Sequence, residues 1–135
     1  MQFTKLFAAA ASLLLPLSVS AQDVDYGQAL YEQYCATCHG LNGKGAGPLT
    51  ELMLEKPEDL TLLSANNETE PGAFPMLRII HVIDGRTGVR AHGGSMPTYG
   101  EIFMSEAVDR GQTGSVLETR GRILSLAMYL ESIQQ

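Results

Sequence analysis

The sequence predicts an all-α fold, and three observations carry that expectation. Apolar residues recur at helical spacing near both ends, no segment sustains the alternation of a half-buried strand, and prolines and glycines fall where helices start and stop. No internal repeat appears. With 135 residues, 44% hydrophobic and 18% charged, the chain supports one small domain and is neither a disordered tail nor a coiled coil. Two cysteines are too few for a disulfide-stapled mini-protein. A net charge of −6 disfavours a non-specific nucleic-acid binder, which needs a basic face.

The first segment reads as a secretory signal. Lys5 precedes an apolar run from Leu6 to Leu15 broken only by Ser12, Pro16 ends the run, and Val19-Ser20-Ala21 offers small residues for cleavage after Ala21. An uncleaved membrane anchor is the competing reading, but ten helical residues reach about 15 Å, half of a hydrocarbon core of roughly 30 Å. The expected organisation is a leader over 1–21 and one domain over 22–135. Loss of Lys5 takes the charge to −7, and export places the mature chain in an oxidising compartment, the periplasm.

Gly27, Tyr31, Tyr34 and Cys38 form one stripe of a first helix. Gly27 costs such a helix about 1 kcal/mol relative to alanine, which close approach of another helix would offset. Gly40 to Pro48 holds four glycines and cannot be a regular element. Pro57 and Pro75 sit at the starts of short helices expected near 58–64 and 75–84, the second capped by Gly85. A last helix begins near Gly114-Ser115 and places Ile123, Leu126, Ala127, Leu130 and Ile133 on an apolar face.

The chemistry lies in Cys35-Ala36-Thr37-Cys38-His39, the attachment sequence of c-type haem. Residues three apart share a helix face, so both thiols reach the two vinyl groups on one side of a porphyrin. The adjacent imidazole turns to the iron as proximal ligand. A redox-active Cys-x-x-Cys pair would need a βαβ context that is absent here, and a zinc site would need a further ligand such as His81 or His92. No second haem motif follows, which excludes a di-haem peroxidase, and no hydrolytic triad, paired carboxylates or phosphate loop stands out.

The sequence resembles the class I cytochrome c family over nearly all of its mature length. The resemblance is carried by Tyr26-Gly27-Gln28-Ala29-Leu30-Tyr31, the Cys35–Gly40 segment, Gly43-Lys44-Gly45-Ala46-Gly47-Pro48 and Lys56-Pro57-Glu58-Asp59-Leu60-Thr61. It continues through Ile83-Asp84-Gly85, Gly94-Ser95-Met96-Pro97-Thr98-Tyr99-Gly100 and Ala127-Met128-Tyr129-Leu130. It implies a small helical fold around one covalently held haem c and an electron-transfer role. It also implies that the last helix is what packs on Gly27, and that Pro48 offers its carbonyl to the His39 imidazole, fixing the ring and raising its basicity.

For the sixth iron position, Met53, Met76, Met104 and Met128 read as core residues, by their helical patterns or apolar neighbours. Met96 stands in a loop between Gly93-Gly94 and Pro97, and the resemblance points to the same residue, with His92 as its main rival. Arg78, Arg86 and Arg90 are propionate candidates, each equally well read as solvated surface. Tyr99 is either a pocket wall or a hydrogen-bond donor. His81, among Ile79, Ile80, Val82 and Ile83, reads as a helix-surface or core residue.

Two axial protein ligands leave no position for substrate, so the expected function is a monomeric periplasmic electron carrier rather than an enzyme. The alternatives are a haem-bearing subunit of a dehydrogenase or oxidase complex and an open-site haem protein, either a gas binder or a weak peroxidase. Residues 49–70 carry Glu51, Glu55, Glu58, Asp59, Glu68 and Glu70 against Lys56 alone, which anticipates redox partners with a basic docking surface.

Overall fold

The computed structural model describes residues 19–86, 95–111 and 113–135. All its regular elements there are helical: α1 (Val19–Tyr34), α2 (Ala36–His39), 3-10 turns at Pro48–Leu52 and Leu60–Leu62, α3 (Met76–Asp84), α4 (Tyr99–Asp109) and α5 (Ser115–Ser132). Among the described residues no helix is long and apolar enough to cross a membrane. Most of the expected leader lies outside the described residues, as do Arg90, His92 and Gly93-Gly94.

The first and last helices form the spine. Leu30 and Tyr31 of α1 pack with Ile123, Leu126, Ala127, Tyr129 and Leu130 of α5, and Phe103 of α4 and Ile79 and Ile83 of α3 complete the core. The expected close approach at Gly27 is present: a Cβ there would collide with the Ser125 carbonyl oxygen and stand 2.9 Å from the Tyr129 Cβ. Both obstacles are anchored to a helix backbone and cannot swing aside. Gly27→Ala is therefore expected to destabilise the fold by about 2–3 kcal/mol, overlap outweighing the gain in helix propensity. Gly121→Ala in α5, where a Cβ meets nothing within 4 Å, is expected to be neutral or stabilising by up to about 1 kcal/mol. Denaturant midpoints of the two variants check this pair.

The last helix begins where expected, at Ser115 after Gly114. The helix at 75–84 is also found, with Pro75 as its N-cap and Gly85 closing it at φ 69°. The helix expected over 58–64 is only the 3-10 turn Leu60–Leu62. Gln134 and Gln135 take groups that an α-helix would pair internally: Gln134 Nε2 donates to the Leu60 carbonyl, the Ser64 N–H donates to Gln134 Oε1, and the Gln135 N–H donates to the Thr61 carbonyl. The Leu60 N–H, a first-turn donor, is taken by the Gly43 carbonyl. Asp59 Oδ1 accepts from both the N–H and the hydroxyl of Thr61, the local competition by which a short polar side chain replaces helix pairing.

Candidate haem site

The attachment sequence sits at a break in the helix. α1 ends at Tyr34, Cys35 is the N-cap of α2, and His39 is the last residue of α2, followed by Gly40 at φ 77°. Two bonds tie this turn to α1: the Cys35 N–H donates to the Tyr31 carbonyl, and the buried Tyr31 hydroxyl donates to the Gly40 carbonyl at 2.6 Å.

The glycine-rich loop then folds back onto α2. Gly45 and Gly47 donate their N–H groups to the His39 and Cys38 carbonyls, and the Thr50 hydroxyl donates to the Cys38 carbonyl at 3.1 Å. A Cβ on Gly47 would stand 2.6 Å from the Cys38 carbonyl carbon, so this glycine serves close approach to the attachment sequence itself. Pro48 opens the following 3-10 turn, but His39 Nδ1 makes no hydrogen bond to its carbonyl. The loop is fastened to the backbone of α2, not to the imidazole.

One cavity of about 880 Å³ brings the predicted residues together: Cys35, Cys38, His39 and Met96 all line it. Its volume lies within the range of small-molecule and cofactor pockets. Ile79 and Ile83 from α3 and Leu126 and Leu130 from α5 form apolar wall, and Tyr34 and Tyr99 meet edge to face at 6.1 Å between ring centres. The Tyr99 hydroxyl donates to the Tyr34 carbonyl at 2.6 Å, which fastens the exit of the Met96 segment to the residue before Cys35. Tyr99 is thus both a wall and a donor. Burial, with the nearby Cys35 and Cys38, pushes its hydroxyl up to about 12, so it stays protonated.

The electrostatics suit thioether and iron ligation better than thiol redox chemistry. Burial, followed by the neighbouring Cys38, pushes the Cys35 thiol up to about 12, the opposite of an activated Cys-x-x-Cys nucleophile. Burial lowers the pKa of His39 against the opposing pull of the Glu58 main chain and carboxylate, keeping the ring neutral, and its buried Nδ1 has no hydrogen-bond partner. A half-buried imidazole in the wall of the cavity, kept neutral and with an unpartnered Nδ1, suits a metal ligand better than a core histidine. The zinc alternative finds no support: the described residues hold no group of three metal-ligating side chains, and His81 is exposed on α3.

Other candidates separate. Met76 packs against the core, and the Met104 sulfur lies 3.9 Å from the Thr119 hydroxyl. Met53, expected in the core, instead lines the cavity. Arg78 lines the cavity, whereas Arg86 is absent from its walls and forms an ion pair with Asp84. Sequence reasoning missed the cluster behind Tyr34, where Arg122 of α5 and Glu106 of α4 meet. Its one signal was a charged residue four positions before Leu126 on the apolar stripe of the last helix.

Comparison with curated proteins and with solved structures returned no match. A family model described as cytochrome c oxidase, cbb3-type, subunit III matches residues 22–110, about two thirds of the chain, including the attachment sequence and Met96. Taken with the helical fold and the cavity, this match shows that the chain belongs to that class I c-type cytochrome family, whose members bear haem and transfer electrons.

Proposed function

We propose that the protein is a periplasmic mono-haem electron carrier, exported with cleavage after Ala21. In this reading Cys35 and Cys38 hold one haem c covalently, and His39 and Met96 are its axial ligands. The observation that carries it is that Met96, about sixty residues further along the chain, lines the same cavity as Cys35, Cys38 and His39. Haem c held there supplies a one-electron ferric–ferrous couple. The chain keeps His39 neutral through burial, walls the cavity with aliphatic side chains that exclude water, and presents Met96 from a segment that Tyr99 fastens to Tyr34. If His39 and Met96 both held the iron, no position would remain for substrate, which favours transfer over catalysis.

Glu55, Glu58, Asp59 and Glu68 line the cavity beside Lys56 and Arg78, so the acidic segment borders the site. That arrangement supports redox partners with a basic docking surface, brought in by charge over a small and brief contact. The expected result is a second-order electron-transfer rate to such a partner that falls as salt rises, because the Debye length is already about 8 Å near 0.15 M. Stopped-flow rates at several ionic strengths check it, and a flat or rising profile removes acidic docking.

The family description favours a second reading, a haem-bearing subunit of an oxidase complex. Purification from native membranes and periplasm separates the two. A carrier elutes alone as a monomer from the soluble fraction, and a subunit elutes with its catalytic partner.

A further inference from the structure

We propose that Arg122 and Glu106 form a charge pair that sets the midpoint potential of the site, the inner positive charge raising it and the outer negative charge lowering it. The inference rests on the cavity holding haem. Arg122 is 5% exposed, unusual for an arginine on a helix face. Its Nη1 donates to Glu106 Oε2 at 2.8 Å and its Nη2 to the Tyr34 hydroxyl at 2.9 Å, while that hydroxyl in turn donates to the Glu106 carboxylate at 3.0 Å. The guanidinium carbon lies 3.9 Å from the ring centre of Phe103 and 5.4 Å from that of Tyr34. Tyr34 is a cavity wall, so the buried cation is separated from the cavity by one aromatic ring.

The pair has a direction. The Arg122 side chain is 6% exposed and that of Glu106 33%, which puts the positive end inward and the negative end toward solvent, where Arg110 also approaches Glu106. Burial alone would lower the pKa of Arg122 and raise that of Glu106, but their mutual hydrogen bonds and those with Tyr34 outweigh it, so both stay charged. Loss of an electron adds one positive charge to the cavity. A cation held behind its wall in low dielectric opposes that change, and an anion nearby favours it. The same residues also join α1, α4 and α5, so a merely structural role must be separated from an electrostatic one.

Opposite signs separate them. Spectroelectrochemical titration of the holoprotein is expected to show a lower midpoint potential for Arg122→Met, a higher one for Glu106→Gln and a nearly unchanged one for Arg122→Lys. Thermal unfolding is measured alongside. Loosened packing would admit water and shift Arg122→Met and Glu106→Gln the same way, so shifts of equal sign, or no shift in Glu106→Gln, overturn the proposal. If Arg122→Met does not fold, Glu106→Gln moving up while Arg122→Lys stays in place carries it, and Glu106→Gln moving down or staying put overturns it. Absence of haem bands from the wild-type protein would instead defeat the proposed function, and is seen before any potential is measured.

Discussion

Replacing Cys35 and Cys38 together by alanine is expected to abolish covalent haem and to leave the mature chain largely unfolded. Without haem, a space of some 880 Å³ between Ile79, Ile83, Leu126 and Leu130 is left without the apolar group that would cover those walls, a large loss for a domain whose net stability is only roughly 5–15 kcal/mol. Collapse would recover part of this, but the walls come from α3, α4, α5 and the 53–68 segment, which cannot all close inward while α1 and α5 remain in register. Acidified-acetone extraction and far-UV circular dichroism check the prediction. Haem that stays with the double variant through extraction would overturn covalent attachment at these residues.

The second large effect is expected at Met96. Met96→Ala should remove the long-wavelength sulfur-to-iron charge-transfer band, let carbon monoxide bind the ferrous protein and lower the midpoint potential by about a tenth of a volt or more, within the roughly 0.8 V that axial ligands span. Met53→Ala is the informative control, because Met53 lines the same cavity while Met76 and Met104 are engaged by the core and by Thr119. If Met53→Ala removes the band and Met96→Ala leaves it intact, the axial ligand is Met53.

Much of this was legible in the sequence, for identifiable reasons. Cys35, Cys38 and His39 are a local motif whose spacing alone orders the chemistry, and Gly27 announces a close contact because a glycine inside a helix needs compensation. Ser115–Ser132 declares itself by period and by its preceding glycine. What escaped is tertiary. Leu60–Leu62 does not extend into an α-helix because Gln134 and Gln135 take the Leu60 and Thr61 carbonyls, and a 3.6-residue pattern cannot report such partners. Met53 lies between two leucines and reads as core, yet those neighbours, Leu52 and Leu54, are fully exposed or nearly so and only the methionine turns inward. Arg122 is invisible for the converse reason. A charged residue on an apolar stripe becomes interpretable only when Glu106 and Tyr34 arrive from other helices.

The contact between Gly27 and Ser125 also ties the two ends of the domain together. Close to a hundred positions separate these residues, and the match to the family ends at residue 110, before α5 begins. The recognisable cytochrome segment therefore lacks Leu126 and Leu130, which wall the cavity, and the surface that covers the first helix. The last eighteen-residue helix is therefore part of the cavity as much as of the spine: a chain cut at residue 110 would lose two aliphatic walls of the site together with the cover of its first helix.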